Sequence, residues 1–354
     1  MDPSLAPLPS LRSGLSRPSR GVVRSGGLLL AATLAVAGCG GESAESALDG
    51  AEEEAPELQA TDQDVPRTAD PFERGYTEAD FPRVQEVAPD VYTYEQLRSA
   101  GDELFTTVSL FVVTSEGVLV ADGQGSREET ERLLAHIAEV TEEPVTHLVI
   151  GSDHGDHTAG NAAFPPEVEV YAHPTSAANL EGMVADRPAD ADPFPMATVL
   201  VDNQQVLELG GTTVEILFLG RAHTGGDLAV HLPEESVLFL SEAYLNRVFP
   251  AMRSAYPSEW VDMLDAALAM DVETYVPGHG FVESPEILEE ELRIYRDAVA
   301  TVVQEATRLH QMGLSLEEAQ AQADMGELED WSLVSSQKPR AIQQVYAELN
   351  GELP

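Results

Sequence analysis

Four short stretches of the chain hold the residues best able to do chemistry. The first is Ser152-Asp153-His154-Gly155-Asp156-His157, directly after the apolar run Thr146 to Ile150. Two imidazoles and a carboxylate fall within four residues there. On a loop opened by Gly151 they can converge on one cation without needing a helix. Imidazole and carboxylate suit zinc and similar divalent ions. Three later stretches share the syntax of a strand followed by a glycine-flanked or polar ligand. Gly220-Arg221-Ala222-His223-Thr224-Gly225-Gly226-Asp227 follows a strand ending at Leu219, Ser241-Glu242 follows Val237 to Leu240, and Pro277-Gly278-His279-Gly280 follows Thr274 to Val276.

The elements that must position these loops read as strands first and helices later, twice over. Residues 84–95 and 107–121 are rich in β-branched and aromatic residues, with a turn at Ser115-Glu116-Gly117. Arg127 to Val140 shows helical spacing, with Leu133, Leu134, Ile137 and Val140 on one face. Strands follow at Thr146 to Ile150 and Val168 to Ala172, the latter leading into a helix capped near Thr175. The second block predicts strands at 198–202, 205–209, 212–219, 227–232 and 236–240, a helix from Ser258 to Ala269 and a strand from Thr274 to Val276. From Pro285 the chain reads as helical, with shorter helices over Leu316 to Met325 and Arg340 to Leu349. This is an α/β sandwich with its chemistry on loops at strand ends.

The set of motifs resembles the metallo-β-lactamase superfamily, whose signature is His-x-His-x-Asp-His, a distant His-Thr, an acidic residue after a strand, and Pro-Gly-His-Gly. Order and context match over roughly residues 84–282. The resemblance implies an αββα sandwich with metals at one edge of two sheets and C-terminal helical additions. It assigns His154 and His223 to a first metal site, and Asp156, His157 and His279 to a second. Glu242 stands where family hydrolases often place an aspartate bridging both metals. The implied reaction is attack of a metal-bound hydroxide on an ester, thioester, lactone or amide carbonyl, since zinc can lower the pKa of bound water from about 15.7 to about 7. Asp156 would bind metal and orient the attacking water. The Gly-Arg-x-His-Thr-x-Gly-Asp form of the second motif looks more like the glyoxalase-related and quinoprotein-associated hydrolases than like antibiotic-destroying enzymes.

Two departures from the pattern matter. The first histidine of the signature is Ser152 here, either a lost metal ligand or a hydrogen-bonding group near the water. The bridging acid is Glu242, one methylene longer than aspartate, which predicts reach to one metal only. Together they predict one zinc in the Asp156/His157/His279 site and a weak or empty first site. Asp153 is a substitute ligand only if it turns inward. The competing readings are a β-lactamase, or a non-catalytic lipoprotein that keeps one metal and binds a ligand.

Arg221, Tyr244, Asn246 and Arg247 flank ligand positions and either grip a polar or anionic small-molecule substrate or form ordinary surface pairs. His173 ends a strand near the pocket, as a structural residue or a substrate contact. Asp122, after Val120-Ala121, matches a frequent family aspartate that orients loops.

Acids outnumber bases 62 to 19 in the 354 residues, for a formal charge of −43. Such a field repels a phosphate backbone and excludes nucleic acid as a partner. Oligomeric state is not encoded in any of these patterns. The one cysteine, Cys39, closes Val36-Ala37-Gly38-Cys39 after an arginine-bearing leader and the apolar run Gly27 to Ala37. This resembles a bacterial lipobox and predicts a signal peptide over 1–38, lipid on Cys39, and a protein anchored to a membrane outside the cytoplasm, on the outer membrane where there is one. Residues 39–80, acid-rich and poor in large apolar side chains, predict a disordered linker. The metallo-β-lactamase-like domain is then 81–282, with C-terminal helices over 283–354 packed on it.

Overall fold

The computed structural model describes residues 65–185, 187 and 193–354. The leader, Cys39 and the expected linker up to residue 64 lie outside the described residues. Among the described residues, no helix is long and apolar enough to cross a membrane.

Seven strands lie in chain order in one sheet: β1 (Arg83–Ala88), β2 (Val91–Ala100), β3 (Glu103–Thr114), β4 (Gly117–Ala121), β5 (Val145–Val149), β6 (Glu169–Ala172) and β7 (Val199–Leu200). Pairing is antiparallel from β1 to β4 and parallel from β4 to β7. The change has a cause in the connections. Tight turns join the antiparallel strands, whereas parallel neighbours need a crossover, usually helical. Here α1 (Arg127–Val140) joins β4 to β5, α2 (Gly155–Thr158) lies between β5 and β6, and α3 (Pro174–Ala185) follows β6. Ser126 starts α1 by accepting a hydrogen bond from the Glu129 N–H at 3.2 Å. The second sheet runs β12-β11-β10-β9-β8, from β8 (Gln204–Leu209), β9 (Thr212–Leu217), β10 (Ala229–Leu232), β11 (Val237–Phe239) and β12 (Thr274–Val276). All its pairs are antiparallel except β11 with β12.

Strand periodicity assigns each face. Leu110 and Val112 of β3 enter the core between the sheets with Val149, Ile216, Val230 and Phe239. Phe111, on the opposite face, packs with Leu133 and Ile137 of α1 and Leu180 of α3. The outer face of the second sheet is covered by α4 (Pro257–Leu268), α5 (Pro285–Gln311), α6 (Leu316–Gln322) and α7 (Val334–Leu349), through a core that includes Trp260, Leu264, Leu292, Tyr295 and Ile342. The result is the expected αββα sandwich.

Two boundaries differ from expectation. Residues 65–80, read as linker, are ordered against the domain. Ala69 is fully buried, the Arg74 guanidinium lies 4.1 Å from the Phe281 ring centre and pairs with Glu283, and Tyr76 stacks on Phe281 at 5.3 Å. A few aromatic and cation–π contacts anchor a segment whose average composition is polar. Helix α7 begins at Val334, six residues before the expected start, and runs through Pro339. Proline removes one N–H there, but burial of Leu333, Ala341, Ile342 and Val345 holds the helix on both sides of it.

Candidate metal centre

Every chemically distinctive loop leaves the C-terminal end of a strand at the same edge of the sandwich. β5 leads to Ser152 through His157, β9 to His223, β11 to Glu242 and β12 to His279. Backbone bonds lock the loops together. The Leu228 N–H donates to the Gly151 carbonyl at 2.9 Å, Gly278 N–H to the Ser241 carbonyl at 2.8 Å, and Val108 N–H to the Gly278 carbonyl at 2.8 Å. Gly278 has no substitute here, because a Cβ would overlap the Ser241 backbone.

Two donor clusters result, and Glu242 belongs to both. One comprises Asp156, His157, Glu242 and His279, the other His154, His223 and Glu242, with ligand atoms in each within 4.8 Å of one another. In the first, His279 Nε2 lies 3.3 Å from His157 Nε2, 3.2 Å from Asp156 Oδ2 and 3.3 Å from Glu242 Oε1. In the second, His154 Nδ1 is 3.0 Å from His223 Nε2 and 2.9 Å from Glu242 Oε2, and His223 Nε2 is 3.3 Å from Glu242 Oε1. A tetrahedral zinc with ligands at about 2.0–2.1 Å separates them by about 3.3–3.4 Å. The four-donor cluster has three edges of that length, and its nitrogen and oxygen donors are the types zinc takes, so these residues fit the ion.

The expected single-metal reach of Glu242 is therefore corrected. The extra methylene lets one carboxylate lie within 3.9 Å of all four histidines. Ser152, fully buried, donates its hydroxyl to Glu242 Oε2 and accepts the His154 N–H at 3.3 Å. It supports the shared carboxylate at the His154 side of the site. Asp153 turns away to accept a hydrogen bond from Asn179 at 2.8 Å.

The site's electrostatics call for positive charge. Burial disfavours the imidazolium of His279, but hydrogen bonds to Asp156 and Glu242 outweigh it and raise its pKa to about 10. His154, also opposed by burial, is raised to about 9 by Glu242. Burial likewise pushes Glu242 up, yet His223, His154 and His157 hold it well below the usual carboxylate range. Carboxylates in this arrangement need protonated imidazoles or a bound cation as partners.

Asp122 holds the frame. It is fully buried in left-handed backbone (φ 62°), and its Oδ1 accepts from the Gly151 N–H at 2.7 Å and the Ser152 N–H at 3.3 Å. Its Oδ2 accepts the Ser241 hydroxyl and lies 3.1 Å from His157 Nδ1. Ser241, just before Glu242, is also left-handed (φ 48°). On the other side, His279 Nδ1 is fixed 2.8 Å from the Thr106 carbonyl. A carboxylate or carbonyl behind an imidazole sets its orientation and makes it a better metal ligand.

The proposed substrate contacts are engaged elsewhere. Arg221 pairs with Glu259 and lies 3.9 Å from the Tyr256 ring centre. Arg247 makes a two-bond fork to Glu291, Tyr244 donates to the Leu288 carbonyl at 3.3 Å, and Asn246 donates to the Phe281 carbonyl at 2.8 Å. His173 stacks on Phe218 at 4.2 Å and accepts the Thr175 N–H. None of the five lines the 150 Å³ pocket over the clusters. That pocket is walled instead by residues the sequence did not single out, among them Phe105, Leu245, Arg253, Leu333, Gln337 and Arg340. Three of these come from α7 and its cap, whose docking has no local sequence signal.

Known proteins place this geometry. The chain is 25% identical over 212 residues to the Metallo-beta-lactamase type 2 of Bacillus sp. (strain 170), covering 58% of this chain and 79% of that protein. It is 24% identical over 248 residues to the Linear primary-alkylsulfatase of Pseudomonas sp. (strain ATCC 19151), covering 57% of this chain and 47% of that one. The solved structure of the stereoselective inverting sec-alkylsulfatase Pisa1 from Pseudomonas sp. superposes with a TM-score of 0.60 at 17% identity, over 75% of this chain and 50% of that one. The family model described as Metallo-beta-lactamase superfamily matches residues 102–279, half of the chain and the span from β3 to the last histidine of the clusters. By that match the chain belongs to the metallo-beta-lactamase superfamily.

Proposed function

We propose that this hydrolase cleaves an ester, thioester, lactone or amide bond in a small molecule, using zinc held by Asp156, His157, His279 and Glu242, and a second ion held by His154, His223 and Glu242. The observation that carries the reading is the Glu242 carboxylate between two donor clusters at the floor of one pocket. Bound there, divalent cations supply Lewis acidity and make water nucleophilic at neutral pH. The chain's own residues do the rest. Asp156, partly open to the pocket, is placed to accept a proton and orient water. Ser152 favoured a non-catalytic binder in the sequence, but its bond to Glu242 gives it a supporting role that leaves both clusters with three or more donors. The glyoxalase-related and quinoprotein-associated subtype rests on the Gly-Arg-x-His-Thr-x-Gly-Asp motif.

The test is elemental analysis of the full chain together with a hydrolysis screen. Esters, thioesters and lactones lead the panel, with a β-lactam and an alkyl sulfate added because relatives carry those activities in their names. His157→Ala should remove one zinc per chain and abolish turnover. Turnover unchanged in the variant, or no zinc retained by the parent when zinc is offered, refutes the reading.

Location outside the cytoplasm, with lipid on Cys39, rests on the lipobox-like Val36-Ala37-Gly38-Cys39. Cys39→Ala should move the protein from the membrane fraction to the soluble fraction on expression in a bacterial host. An unchanged distribution rules out the anchor.

A further inference from the structure

In a chain with 62 acids and 19 bases, a basic side chain finds an acidic partner easily. Of the fourteen arginines among the described residues, twelve pair with a carboxylate or lie over an aromatic ring. The two that do neither are Arg253 and Arg340. Both are exposed, and both line the pocket above the metal clusters. They reach it from different elements. Arg253 comes from the loop between Glu242 and α4. Arg340 lies on α7, three residues beyond Gln337 and seven beyond Leu333, so the three share one face of the helix turned to the pocket. Arg340 also lies outside the span matched by the family model.

The same pocket is lined by the apolar side chains of Phe105, Leu245, Val248 and Leu333. Asp156 and Glu242 are the acids lining the pocket, and both are taken up by the donor clusters, which leaves the two guanidinium groups to meet a substrate anion. A guanidinium fork matches a carboxylate in shape and charge.

We propose that Arg253 and Arg340 select substrates that carry a carboxylate, separated by a short apolar chain from the bond that is cleaved. The inference rests on the hydrolase reading above and names its substrate class. The chain packs on Phe105, Leu245 and Leu333, the carboxylate is gripped at the mouth, and the reacting carbonyl is directed to the clusters.

Two esters with the same reacting group test this: mono-4-nitrophenyl glutarate, which carries a distal carboxylate, and 4-nitrophenyl butyrate, which does not. With the full chain loaded with zinc, the ratio of kcat/KM for glutarate over butyrate should fall about tenfold or more in the Arg253→Gln/Arg340→Gln double variant, mainly through KM. Arg253→Lys/Arg340→Lys should recover part of the ratio, since charge remains without the fork. Calorimetric titration of glutarate gives a readout free of turnover, and binding should weaken about tenfold in the double glutamine variant. If the parent hydrolyses neither ester yet binds glutarate in an arginine-dependent way, the carboxylate site stands and ester hydrolysis fails. If both esters are hydrolysed with an unchanged ratio and glutarate binds both proteins equally, or binds neither, the inference is overturned and the hydrolase reading survives.

Discussion

Glu242→Gln should empty both clusters at once, taking the full chain from about two zinc ions to well under one after desalting. The argument is geometric. A single carboxylate faces all four histidines, its Oε1 towards His157, His223 and His279 and its Oε2 towards His154. Losing even an outer partner of a ligand costs about 10–100-fold in metal affinity, and a direct ligand should cost at least as much at each site. Glutamine has the same length, and its carbonyl can still accept the Ser152 hydroxyl, so the substitution isolates the charge. That charge is present at neutral pH, because His223, His154 and His157 hold Glu242 ionised against its burial. Turnover should fall by at least about a hundredfold with the metal. Elemental analysis decides the matter. Loss of one zinc with the other retained would mean that Glu242 serves one cluster, as its sequence position alone suggested.

Much of this site is legible along the chain because metal ligands on short loops keep their spacing. His154, Asp156, His157, His223 and His279 could be read from glycine-flanked motifs after apolar runs, and the strands could be read from β-branched residues. What the motifs do not carry is reach. Whether Glu242 touches one cluster or two depends on how closely the loops after β11 and β12 approach, which Gly278 permits by contact with the Ser241 backbone. Adjacency in sequence also misleads around Glu242. Tyr244, Asn246 and Arg247 follow it by a few residues, but the one-turn helix Ser241–Ala243 sends them into the core and towards Glu291. Arg253 and Arg340 were invisible for the opposite reason, since 87 positions separate them and only the docking of α7 brings them to one pocket. The order of residues 65–80 was hidden in a similar way. The contacts of Arg74 and Tyr76 with Phe281, and of Arg83 with the Tyr76 ring, decide it, and average composition does not register them.

Asp122→Asn should separate frame from ligand. The carboxylate ties Gly151, Ser152 and Ser241 together and stands behind His157, while touching no member of the His154/His223 pair. Asparagine tolerates the left-handed backbone at φ 62°, so the change tests the side chain and not the turn. Its amide can replace some of the accepted bonds but not the charge, and one face then presents N–H groups where the native residue accepts. Leaving a buried donor without its acceptor costs about 1–3 kcal/mol, which should appear as a lower urea midpoint for the metal-free protein. Zinc titration should show two phases in the parent. In the variant the phase belonging to Asp156, His157 and His279 should weaken by about 10–100-fold, and the other should move far less. Burial opposes the charged form of His157 and Asp122 favours it, so the same carboxylate that attracts a proton to this imidazole also makes it the stronger metal ligand. Equal weakening of both phases would place Asp122 in general scaffolding, and an unmoved first phase would remove it from the metal centre altogether.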